Sequence, residues 1–99
     1  MAYEVKITAA AEKDLDLILS YLVNELANPQ AAGHFLDEIA KVYLLLREQP
    51  QCCPVCSQKL LNRYRKVPIL RYVMLCRIEE NTVYVERYFS HLEDYLHKL

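Results

Sequence analysis

The dipeptide "NP" at 28 and 29 most constrains what this chain can fold into. It separates two stretches of helical period with no linker between them. In the first, Ala11, Leu15, Ile18, Leu19, Leu22 and Leu26 recur at helical spacing behind Thr8, an N-cap residue type. In the second, Ala32, Phe35, Leu36, Ile39, Val42, Tyr43 and Leu46 share one face, up to "QP" at 49 and 50. Asn28 can cap the second helix, with Pro29 at its first position, where a missing N–H costs nothing. Two helices joined so tightly must form an antiparallel hairpin.

The hairpin is flanked by strand signals. "YEVKIT" alternates Tyr3, Val5 and Ile7 with Glu4, Lys6 and Thr8, as a half-buried strand does. After the aperiodic "QCCPVCSQKLLN" come "YRKVP", "RYVMLCRI" and "TVYVERYF", the last two joined by "EEN" as a hairpin turn. The order strand, helix, helix, strand, strand, strand and short tail gives an α+β domain. Its helical hairpin lies on one face of a small, mainly antiparallel sheet. At 99 residues the chain is read as one domain, 1–99, able to bury a single core. Leu17 and Tyr21 fall off the first helical stripe and mark a second apolar patch, suited to a partner surface or to burial under a loop.

Composition narrows the function classes. An apolar fraction of 54% beside 25% charge fits a folded chain and not a disordered one. A single glycine excludes the Gly-rich phosphate loops. No apolar run approaches the roughly 18 residues of a membrane span, and the N-terminus lacks the pattern of a secretory signal. A cytoplasmic protein without a membrane partner is expected. In that compartment Cys52, Cys53, Cys56 and Cys76 should be thiols. "CPVC" at 53–56 has zinc-knuckle spacing but no second pair at matching spacing. Packing is the expected role of these cysteines, ahead of metal binding or redox work, and no cofactor is expected.

The charge is unevenly placed. Residues 62–78 hold five cations, Arg63, Arg65, Lys66, Arg71 and Arg77, and no carboxylate occurs from Gln49 through Ile78. Val73 and Leu75 share a side with Arg71 and Arg77, so these two arginines belong at the strand's ends, where their stems can reach outward. In the last strand Val83, Val85, Arg87 and Phe89 fall on one face by simple alternation. The strip is a candidate surface for nucleic acid or an acidic protein segment. The plainer reading is a solvated face whose cations pair with Glu79, Glu80 and Glu86. The net charge of −1 lowers the weight of nucleic acid. Among the histidines, His34 sits in mid-helix and His97 in the tail. Only His91, after the last strand, is placed to move a proton or touch a phosphate, and an exposed turn residue is the alternative.

Taken together, "AAAEKDLDLILSYL", "NPQAAGHFLDEI", "RYRKVPILRYVMLCRIEENTVYVERYF" and "DYLHKL" resemble the RelE/ParE superfamily of toxins from type II toxin–antitoxin pairs, over nearly the whole chain. The resemblance implies a growth-inhibiting toxin of the plasmid-stabilisation type, held inactive by a cognate antitoxin. RelE-like members cleave messenger RNA on the ribosome; ParE-like members poison DNA gyrase. Position by position, Arg65, Tyr72 and Arg87 match family positions, while Cys76 replaces the usual tyrosine. After the last strand stand Ser90, His91, Leu92, Glu93 and Asp94, so the family's basic pair is missing and the histidine is displaced. Glu93 opposes RNA binding where the pattern wants a cation. The ParE-like branch is therefore expected. The alternatives are RNA cleavage, with Arg65 and Arg87 on phosphate and His91 as the acid, and a non-toxic remnant that only binds a partner. Under any of these readings Arg63, Arg65, Lys66, Arg71, Arg77 and Arg87 are the expected contact residues.

Overall fold

The computed structural model describes residues 2–56 and 63–90. The elements are β1 (Glu4–Ile7), α1 (Ala9–Ser20), a π-helical turn (Tyr21–Glu25), α2 (Pro29–Glu48), a 3-10 turn (Pro50–Cys52), β2 (Arg65–Ile69), β3 (Tyr72–Glu79) and β4 (Thr82–Phe89). This is the α+β order expected, with strand ends moved by a residue or so. The caps are those the sequence offers. Thr8 Oγ1 accepts the Ala11 amide at 3.1 Å, and Asn28 Oδ1 accepts that of Ala31 at 3.1 Å. The first helix closes on the π turn, where the Leu26 amide donates to the Tyr21 carbonyl at 3.0 Å. No helix of the described residues is long and apolar enough to cross a membrane.

The sheet order is β1-β4-β3-β2. β2, β3 and β4 form an antiparallel meander, while β1 lies parallel to β4, Val5 opposite Val83 and Ile7 opposite Val85. That first strand makes the sheet mixed. The helices cover one face: Ala11, Leu22, Ala32, Phe35, Ile39 and Leu46 pack with Val67, Ile69, Met74, Cys76, Val83, Val85 and Tyr88. Cys56, Tyr64, Leu75 and Phe89 form a second, smaller cluster. Leu75 lies between Met74 and Cys76 in its strand, so this cluster belongs to the opposite face.

Simple alternation fails in β4. Leu75 pairs with Arg87 but Cys76 with Val85, leaving Glu86 as an extra residue in a β-bulge. Tyr88 is thereby turned into the main core with Val83 and Val85, and Phe89 joins Leu75 on the other side. The expected set Val83, Val85, Arg87 and Phe89 is corrected accordingly. Its first two members keep the core face and its last two lose it.

Three non-glycine residues hold left-handed backbone, Ala27 (φ 47°), Leu70 (φ 57°) and Glu80 (φ 55°), at the helix junction and the two hairpin turns. The one glycine, Gly33, sits instead inside α2, with nothing within 4 Å of where a Cβ would stand. Gly33→Ala should therefore stabilise the fold by about 0.5–1 kcal/mol. Leu70→Gly, relieving the left-handed leucine, should also stabilise, by about 1 kcal/mol. Urea denaturation checks both; a loss of stability in either would contradict the account of that position.

Candidate functional site

The cations of the strip are positioned by β2, β3 and β4, and the register separates them. Arg65 stands opposite Cys76 and shares its core-side face, whereas Arg77, the next residue of β3, points to the other face. Arg65 Nη1 donates to the carbonyls of Gln51 at 3.2 Å and Cys53 at 2.7 Å. It thereby fastens the chain after α2 to β2, beside the bridge between Val55 and Arg65. Its neighbour Arg63 lies over the Tyr64 ring, 5.1 Å from the centroid, and donates to that hydroxyl at 3.0 Å.

Arg77 is paired as the plainer reading expected. Its Nε donates to Glu86 at 2.7 Å, its Nη1 to Glu79, and its guanidinium lies 4.3 Å from the Tyr84 centroid. The hydrogen bonds to Glu86 and then Glu79 raise its already high pKa. Glu80 instead takes the left-handed turn position. Arg71 is exposed in the turn before β3 and Lys66 half-buried in β2; neither makes an ion pair among the described residues. His91 lies outside the described residues. His34 is exposed on α2, 3.9 Å from Glu38.

Arg87 belongs to the most buried ion pair among the described residues. Its Nε donates to Asp14 Oδ2 at 2.6 Å and its Nη2 to Oδ1 at 3.0 Å, and the Tyr88 amide donates to the same Oδ2 at 3.1 Å. The bond to Asp14 raises the pKa of Arg87. The Asp14 side chain is 10% exposed and that of Arg87 22%. Nearby, the hydroxyls of Tyr43 and Tyr88 meet at 2.6 Å, and burial drives both phenols' pKa values up. Asp14 is the residue sequence reasoning missed. It lies three after Ala11 and four before Ile18, so it sits within the apolar stripe, and a carboxylate there needs a buried partner.

The cysteines divide between the two cores. Cys53 and Cys76 join the main cluster and Cys56 the second, while Cys52 is exposed. The two thiols of "CPVC" therefore face different surroundings. Among the described residues no group of histidine, cysteine and carboxylate side chains is placed to hold a metal ion. Leu17 and Tyr21 are 62% and 48% exposed, so the second apolar patch of α1 is open to solvent.

The helical hairpin on a four-stranded sheet of order β1-β4-β3-β2 is a fold met in solved structures. It is shared with the chromosomal ParDE system of Pseudomonas aeruginosa (TM-score 0.72, 18% identity, covering 89% of this chain and 95% of that one). The RelBE2 toxin–antitoxin complex of Mycobacterium tuberculosis is similar (TM-score 0.63, 19% identity, 92% and 100% covered). So is the DinJ–YafQ toxin–antitoxin complex of Escherichia coli (TM-score 0.62, 11% identity, 94% and 97% covered). No curated protein matches the chain. The profile of the ParE toxin of the type II toxin–antitoxin system parDE matches residues 5–95, and the chain belongs to that family. It is thus a type II toxin of the ParE-like branch.

Burial pushes the Cys76 thiol up from 9.0 to about 12, and raises those of Cys53 and Cys56 in the same direction. For Cys76 the unfolded chain gives up its proton first, so the stability of keeping that thiol neutral is complete below pH 9.0 and falls as pH rises toward about 12. Cys76→Ala should flatten this alkaline loss, read from urea midpoints at neutral and alkaline pH. In the native chain a thiol reagent should modify Cys52 alone at speed; rapid labelling of Cys53, Cys56 or Cys76 would contradict their burial.

Proposed function

We infer that this toxin acts by binding DNA gyrase, with no chemistry of its own on nucleic acid. The observation that carries this reading is the commitment of Arg87 to Asp14. An RNA-cleaving site must aim cations at a phosphate in its transition state and supply a proton to the leaving oxygen. Here the last-strand arginine is neutralised by a carboxylate of the same chain, and Arg65 spends its donors on two main-chain carbonyls. Arg77 is likewise matched by Glu79 and Glu86. Membership of the ParE family supports the same side.

A cognate antitoxin restrains the toxin in this reading. The P. aeruginosa, M. tuberculosis and E. coli relatives are toxin–antitoxin systems or complexes, and the exposed Leu17 and Tyr21 offer an apolar seat for an amphipathic segment. Exposed Arg71 and half-buried Lys66 would favour acidic residues in that segment.

Induction of the chain alone in a bacterial host, followed by pulse labelling, tests the target. DNA synthesis should fall before protein synthesis, and the purified toxin should inhibit gyrase supercoiling. Protein synthesis failing first, with cleavage of ribosome-bound messenger RNA in vitro, would replace this reading with the ribonuclease one. Leu17→Glu with Tyr21→Glu should leave toxicity intact while weakening rescue by the antitoxin at least tenfold, about 1.4 kcal/mol of binding.

A further inference from the structure

The donors that converge on Asp14 make a set that does not require this particular carboxylate. Two guanidinium N–H groups of Arg87 meet its two oxygens side by side, at 2.6 and 3.0 Å, and the main-chain N–H of Tyr88 adds a third donor at 3.1 Å. Paired guanidinium donors with a main-chain amide form the recognition pattern for a phosphate-class oxyanion as well as for a carboxylate. The guanidinium also lies 5.6 Å from the centroid of the Phe89 ring, which helps fix its plane. The 22% exposure of the Arg87 side chain leaves the cradle reachable from solvent.

The occupant comes from a different element. Asp14 sits on α1, which reaches the sheet through Thr8, whose amide donates to Val85 O at 3.1 Å and whose hydroxyl donates to Glu86 O at 2.9 Å. β1 ends opposite Val85, so beyond it the amide of Tyr88 finds a side chain where a neighbouring strand would otherwise have supplied a carbonyl. Held there by the fold, Asp14 acts at a high effective concentration that a free anion cannot match.

We propose that Arg87 and the Tyr88 amide form an oxyanion site of the phosphate class, and that Asp14 is its built-in occupant. The site accepts an external anion only when the carboxylate is removed or α1 is drawn off β4. Asp14 thus occludes the site in the folded chain, and the occlusion does not depend on the identity of the toxin's target.

The test uses the full chain and inorganic phosphate, with chloride at matched ionic strength as the control. The wild type should show in phosphate only the small, non-saturating rise over chloride that an excluded anion gives any folded protein. Asp14→Ala should melt lower and recover most of the loss in phosphate, along a saturating curve that the chloride series lacks. Asp14→Ala combined with Arg87→Met should lose that saturable recovery. Should Asp14→Ala fail to purify folded, Asp14→Ser is held to the same outcomes. An Asp14 variant that gains no saturable recovery from phosphate over chloride overturns the proposal. So does a double variant that still shows it, or a wild type that responds as strongly. Gyrase inhibition enters none of these readouts, so failure here and failure of the target assignment are separate results.

Discussion

The carboxylate of Asp14 holds this small fold together where its regular hydrogen bonding runs out. β1 covers the outer edge of β4 only as far as Val85, and past that point the strand bulges at Glu86. A half-covered edge leaves donors that must find partners. Asp14 supplies one to the Tyr88 amide and takes the adjacent guanidinium of Arg87 at the same time. With Thr8 it ties both ends of the first two turns of α1 to β4. Removing one member of such a partly buried pair leaves the other without compensation, which typically costs several kcal/mol. This contact, the bonds of Thr8 and the burial of Ala11 and Leu22 together set the first helix on the sheet with Leu17 and Tyr21 facing outward.

Much of the architecture was legible because independent signals agreed. Asn28 and Pro29 are a cap and a first-turn proline, and the structure uses them so. The alternation of Tyr3 to Thr8 and the paired hairpin strands gave the sheet its members. What could not be read was pairing at long range. Nothing in the residues of β1 says that it lies parallel to β4, since its partner stands some eighty positions away. A bulge is equally silent: Glu86 looks like an ordinary outward residue, and only the partner strand reveals that it is one too many. One missed pairing then reassigned Tyr88 and Phe89 between the two faces.

The candidate site was legible in composition but not in arrangement. Arg63, Arg65, Lys66, Arg71 and Arg77 read as one strip along the chain, yet strand geometry sends Arg65 and Arg77 to opposite faces and each finds a different partner. The carboxylates Glu79 and Glu86 were foreseeable neighbours because they are close in sequence or across a hairpin. Asp14 lies 73 residues from Arg87, a distance at which charge patterning carries no information. Its one local sign was a charge inside an apolar stripe.

The pairing of the first strand with the last also governs when the protein can exist. Glu4 to Ile7 find their register only against Thr82 to Val85, and the main core draws on residues from Ala11 to Tyr88. Closing so long a loop is entropically unfavourable until the contacts beyond it form, so this step belongs late in folding. During synthesis the helical hairpin emerges with its apolar stripe uncovered and no sheet to receive it. Val67, Ile69, Met74 and Cys76 of β2 and β3 emerge next, and β4 must follow before that stripe has its complete sheet. A chain interrupted before that strand therefore has no completed sheet, and the cell making this toxin meets its folded surface only once translation of the last strand is done.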